Sequence, residues 1–217
     1  MARLVLIMGK SGSGKSASLR NFPMDKYSLF NVMGKDLPFK STKKFVATTE
    51  YAALKNGLMQ ASAVAEREAI VIDDAGYLIT EQFMRNHSTQ SKGNEIFALY
   101  NSIADQFYTL LRFIKNELPQ DKIVYMTMHE EVDEFGNVKP KTIGKMLDEK
   151  VNVAGLFTII LHAVKSEGKY LFKTQSDGYD VTKSPMGMFD AEFVDNDLFE
   201  VHNRIKAYYN TEEKVNE

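Results

Sequence analysis

Residues 3–16 constrain this chain more than any other stretch. Arg3–Met8 is a short apolar run, and Gly9-Lys10-Ser11-Gly12-Ser13-Gly14-Lys15-Ser16 follows it at once. The run reads as a buried parallel strand, and the octapeptide satisfies G-x-x-x-x-G-K-[ST]. Glycines let the backbone wrap closely around an anion with amide N–H groups turned inward. A helix expected from Ser16 to Phe22, stopped by Pro23, adds the positive end of its dipole. Lys15 is placed to reach β- and γ-phosphates, and the Ser16 hydroxyl to ligate Mg²⁺. The candidate nucleotide cup is therefore Gly9, Ser11, Gly12, Ser13, Gly14, Lys15, Ser16 and Ala17, with ATP and Mg²⁺ as the expected ligands. A Gly-rich turn that merely links strand to helix does not explain Lys15 and Ser16 together.

A second apolar strand, Ala69–Ile72, ends in Asp73-Asp74. In parallel α/β sheets the C-terminal ends of the strands are where ligands sit. Asp73 is the candidate metal residue, acting through water. Asp74 is then placed to orient or deprotonate an attacking water, unless the pair simply caps the next turn. Lys122–Met128 reads as another buried strand and runs into Thr127-Met128-His129-Glu130. Strand alternation turns Thr127 and His129 to one face. If that strand lies beside the loop, His129 is a candidate γ-phosphate sensor. His87, His162 and His202 lack partners at metal-ligand spacing and read as structural or surface residues.

The order of elements fixes the fold class. Tyr27–Met33 is a further strand, and Thr49–Ala65 and Asn94–Leu118 carry apolar residues at helical spacing. The segment 81–93 is polar and loop-like in its later part. Phe135-Gly136-Asn137 reads as a turn, and residues 156–164 and 170–174 read as a hairpin around Glu167-Gly168. Residues 197–209 read as a final helix. Strands alternate with helices through residue 128 and then give way to the hairpin. The expectation is one α/β domain over 1–217, three layers deep, with a mostly parallel sheet and an antiparallel hairpin at one edge.

Composition narrows the chemistry. The chain contains no cysteine, which excludes disulfides, thiolate metal sites and a cysteine nucleophile. Its apolar runs are far shorter than the ~20 residues that span a bilayer, so no membrane partner and a cytoplasmic location are expected. A net charge of −2 gives no general support for a nucleic-acid coat. Two lysine-rich loops, Lys35/Lys40/Lys43/Lys44 with Phe39 and Phe45, and Lys139/Lys141/Lys145/Lys150, offer charge and stacking faces locally. Acidic neighbours dilute both, and a solvated surface is the plain alternative.

The strand–GKSGSGKS–helix start and the IVIDD strand resemble those of P-loop ATPases. Residues 31–39 (NVMGKDLPF), 141–147 (KTIGKML) and 183–189 (KSPMGMF) resemble a phage-encoded nucleotide-binding family with a RecA-like ATPase core, related to phage single-strand-annealing ATPases. That resemblance implies ATP hydrolysis and single-stranded DNA as a partner. It also implies a ring or filament of identical subunits, and a single-strand-binding protein as a further partner. A basic residue is then expected to reach the γ-phosphate of a neighbouring subunit. Lys183 is the first candidate, because family members carry a Lys-x-Arg there, and Lys145 is the second. In this chain proline stands in the arginine place, and the end of the second strand offers Asn31-Val32-Met33 in place of a catalytic glutamate. The second departure shifts the catalytic burden to Asp74, or implies slow hydrolysis.

Two other functions compete. A small-molecule or nucleotide kinase needs several arginines around the transferred phosphoryl group. Only six of the 27 basic residues are arginine, and they are scattered. A non-catalytic, nucleotide-dependent assembly protein would share the cup but lack turnover.

Overall fold

The computed structural model describes residues 1–217 except 90–92, 144–146, 148–150 and 214–217. Its centre is β1 (Arg3–Gly9), whose residues from Leu4 onward are buried. Both edges of β1 are occupied by parallel partners, β4 (Ile123–Val132) on one side and β6 (Ile159–Ser166) on the other. A strand enclosed in this way must be apolar on both faces, which is why Leu4–Met8 does not alternate with polar residues. β3 (Ala69–Asp73) pairs with β4, and β2 (Tyr27–Asn31) closes that side. The strand order is β2-β3-β4-β1-β6-β7-β8, with the short β5 (Val138–Pro140) paired to the extension of β4.

Two cores flank the sheet. Leu4, Leu6 and Met8 face a layer of α1 (Tyr51–Ser62), α2 (Gly76–Asn86) and α3 (Asn94–Glu117). Val5 and Ile7 face α4 (Leu198–Glu213) and the short helix after the Gly-rich loop. The result is the expected three-layer α/β architecture. The expected hairpin is β6 with β7 (Lys169–Lys173), turning through Glu167 and Gly168, both at positive φ. An unforeseen strand, β8 (Phe193–Asp195), extends that antiparallel edge by pairing with β7.

Two local readings are revised and a third is met. The helix after the loop is a six-residue 3-10 helix, Ser16–Asn21, so its dipole is that of a short turn. The segment beyond Asp74 is helical as α2, which buries only Leu78 and Ile79 and so carries little apolar signal. Phe135-Gly136-Asn137 does turn the chain, closing the β4–β5 hairpin, with Asp133 Oδ1 accepting the N–H groups of Phe135 and Asn137. Among the described residues no helix is long and apolar enough to cross a membrane.

α4 is fastened to the sheet by a buried polar contact. His202 is fully buried, with Nδ1 3.0 Å from the Tyr125 hydroxyl and Nε2 3.5 Å from Glu68. Burial holds the His202 imidazole down from its ordinary 6.5 to about 4. The unfolded chain therefore binds a proton that the folded chain refuses between those values. Folding stability should fall as pH drops from about 6.5 toward 4. Urea denaturation at stepped pH should show this slope in the natural chain, and His202→Gln should flatten it.

Candidate functional site

The parallel strands end along one edge, and the site lies across that edge. Gly9 sits beside His129 in the β1–β4 register, and Asn31 sits beside Asp73 in the β2–β3 register. An open cleft of about 760 Å³ runs along these ends, lined at one side by Asp73, Asp74 and His129 and at the other by Tyr170. That volume lies within the range of about 300–1,000 Å³ typical of small-molecule sites.

The Gly-rich loop forms the floor. Gly9 leaves β1 where a Cβ would stand 2.5 Å from Ser13 Oγ and 2.6 Å from the Ala163 carbonyl, so only glycine fits. Gly14 adopts φ +100°, and its missing Cβ would lie 3.0 Å from both Tyr170 and Asn196. Ser11, Gly12, Gly14, Ser16 and Ala17 all line the cleft, and Ser13 is buried beneath it with its hydroxyl lacking a hydrogen-bond partner. Lys15 donates from Nζ to the carbonyls of Gly9 and Lys10, each at 2.8 Å, which bends the side chain back over the loop. Burial lowers the Lys15 pKa, opposed by the nearby Asp74 and Asp73 carboxylates.

Asp73 is the buried hub. Its carboxylate accepts the Ser16 hydroxyl at 2.8 and 2.9 Å and the Thr127 hydroxyl at 2.7 Å. Burial raises its pKa, while those two hydroxyl donors hold it down. β4 lies between β1 and β3 in the sheet, so Thr127 fills the gap between the loop and Asp73. Its oxygen also accepts the Asp74 backbone N–H at 2.8 Å. Asp74 itself has φ +59°, an uncommon conformation for a residue with a side chain, which turns it into the cleft. There its Oδ2 meets Lys35 Nζ at 2.5 Å, and its Oδ1 lies 3.8 Å from His129 Nε2. Burial and the nearby Lys15 charge lower the His129 pKa, which favours the neutral ring.

The sequence candidates therefore divide. Lys15, Ser16, Asp73, Asp74 and His129 converge on one end of the cleft. Lys183 lies elsewhere: its backbone N–H and C=O pair with Ile160 of β6, below the level of the loop. Burial lowers the Lys183 pKa. Lys145 and Lys150 lie outside the described residues. The first lysine-rich loop is dispersed. Lys35 turns to Asp74, and Lys43 turns to the carbonyls of Met24 and Tyr27. Phe39 and Phe45 pack against the α4-side core, while Lys40 and Lys44 are exposed.

Sequence reasoning did not assign Lys35 to this site, and it missed Tyr170, a cleft-lining ring with Lys165 Nζ 5.1 Å above it. His162, read as a structural or surface residue, has carboxylate neighbours that the sequence did not reveal. In the fold its Nε2 meets Glu130 at 2.5 Å, and Asp180 lies 3.7 Å from Nδ1. Alternation on β4 was the signal available for Thr127. Asp74, just past β3, and Glu130, on β4, are the carboxylates that meet Lys35 and His162, and they leave no local pattern beside them.

A hydroxyl and a carboxylate in contact at the end of the cleft make a hard-oxygen donor set of the kind Mg²⁺ takes. The unpartnered Ser13 hydroxyl under the loop fits the same reading, since a buried polar group normally has a partner. Ser16 and Asp73 would hold the ion, which would neutralise phosphate charge.

No protein-family model matches the chain, and no curated protein does. Among solved structures it is similar to a KaiC-like protein, PH0186, from the hyperthermophilic archaeon Pyrococcus horikoshii OT3. The identity is 11% and the TM-score 0.42, over 78% of this chain and 76% of that one.

The Thr127 hydroxyl joins Asp73 to the Asp74 backbone, so Thr127→Val leaves a buried carboxylate short of a donor and a buried N–H unpaired. The expected loss is about 1–3 kcal/mol of stability in urea denaturation, largely restored in Thr127→Ser.

Proposed function

We propose that this chain is an Mg²⁺-dependent ATP hydrolase. The observation that carries the reading is the Ser16–Asp73 contact at 2.8 Å beside the bent-back Lys15. A lysine satisfied by two loop carbonyls is a cation held ready, and phosphate oxygens can replace those carbonyls as its acceptors. The loop amides hold the phosphates in place, and the side chains at the Asp73 end act on the terminal one. Asp74 orients the attacking water and accepts its proton, while His129, 3.8 Å from Asp74, lies within reach to donate to a terminal-phosphate oxygen. The nucleoside extends toward Tyr170, whose ring offers a stacking face.

Single-stranded DNA is the proposed polymer partner, with a homo-oligomeric ring or filament as the working form and a single-strand-binding protein as a companion. The support is the resemblance of residues 31–39, 141–147 and 183–189 to the phage ATPase family, together with exposed Lys40, Lys44 and Lys141. In that assembly Lys183 serves a neighbour's γ-phosphate.

Calorimetry with ATP and Mg²⁺ should show one site, and Lys15→Ala should lose ATP binding or turnover. Normal turnover in Lys15→Ala refutes the site. Turnover should rise with single-stranded DNA, and DNA affinity should fall with salt. A rate that no DNA changes removes the DNA partner. Lys183→Ala should slow turnover while sparing ATP binding, and an unchanged rate removes its role between subunits.

A further inference from the structure

We propose that Lys35 is a second phosphate-binding cation of this site, supplied by the same chain, and that it distinguishes a nucleoside triphosphate from a diphosphate. The proposal rests on the nucleotide-site reading above and concerns the terminal phosphate alone. Three observations converge on it. The Lys35 ammonium stands 2.5 Å from Asp74 Oδ2 and 5.3 Å from the centre of the Tyr77 ring, and it lines the same cleft as Lys15. Its backbone is pinned by Asn31 at the end of β2: Asn31 Nδ2 donates to the Lys35 carbonyl at 2.7 Å, and the Lys35 N–H donates to Asn31 Oδ1 at 3.3 Å. The Gly34 N–H also donates to the Asn31 carbonyl at 3.1 Å, with Gly34 at φ +64°. The main chain is thus fixed, and the long side chain is the part free to swing.

Asn31 ends β2, and its side chain fixes the backbone that carries the cation. Asn31 aligns with Asp73 in the sheet, so Lys35 overhangs the Asp73 end of the cleft, opposite Tyr170. A phosphate chain laid over the loop from the Tyr170 side brings its last phosphate to that overhang. There the carboxylates of Asp73 and Asp74 would repel it unless a cation lies between. An ammonium has three donors, enough to keep Asp74 and still reach a phosphate oxygen. A diphosphate ends short of Lys35 and leaves it on Asp74.

The test is calorimetric binding of ADP and of a non-hydrolysable ATP analogue, each with Mg²⁺, to the natural chain, Lys35→Met and Lys35→Arg. The Lys35 side chain is largely solvent-exposed, 55%, so both variants should fold. Lys35→Met should bind ADP within about twofold of the natural chain and lose about tenfold in affinity for the ATP analogue, the scale of one charge-assisted hydrogen bond. Lys35→Arg should keep most of that affinity. Equal losses for both nucleotides, or no loss for either, overturn the proposal. Failure of the natural chain to bind either nucleotide overturns the site reading itself and the proposal with it.

Discussion

The carboxylate of Asp73 is 3% exposed, and the rest of the site is arranged around that fact. A charge so placed loses hydration that only donors fixed by the fold can replace. Ser16 from the loop and Thr127 from β4 are those donors. Satisfying one group therefore brings three chain segments together, and it does so in the order β3, β4, β1. With β4 inserted, the hydroxyl of the loop and the carboxylate of β3 approach from either side of Thr127. Asp74 then emerges from the same knot at positive φ. The contact network that stabilises the strand ends is the same one that turns Asp74 into the cleft.

Much of this could be read from local pattern. Runs such as Leu4–Met8 and Ala69–Ile72 are too apolar for half-exposed strands, and the glycines of the octapeptide marked the tight loop between β1 and the short helix. The long periodicity of residues 94–118 matched α3 closely, because seven buried side chains on one face leave a clear period. α2 escaped notice because its burial is confined to Leu78 and Ile79. β8 escaped because three residues carry no periodicity, and only the free edge of β7 makes them a strand.

The site was legible where chemistry is written contiguously and illegible where it is assembled by topology. Lys15, Ser16, Asp73 and Asp74 belong to two short motifs. Lys35 stood in a run of lysines that looked like surface charge, and the hydrogen bonds between its backbone and Asn31 fix it at the rim of the cleft. The two phenylalanines of that loop, which looked like stacking faces, are half-buried and pack against the α4-side core. Lysine-plus-aromatic composition thus described the loop correctly while the fold used it for a different purpose. His162 likewise gains its meaning from Glu130, which reaches it from β4, two strands away in the sheet.

Gly14 presses against Tyr170 and Asn196, and Arg20 donates from Nη1 to the Asn196 carbonyl at 2.5 Å. The loop is thus walled by residues that lie far along the chain from it. During synthesis the loop waits, unbuttressed, until Tyr170 and Asn196 have been made, and long-range closures of this sort are slow steps in folding. Nascent chains halted before β7 would carry every residue of the octapeptide yet lack the wall that shapes it. Acquisition of ligand affinity would then time the completion of the whole domain rather than the appearance of its motif.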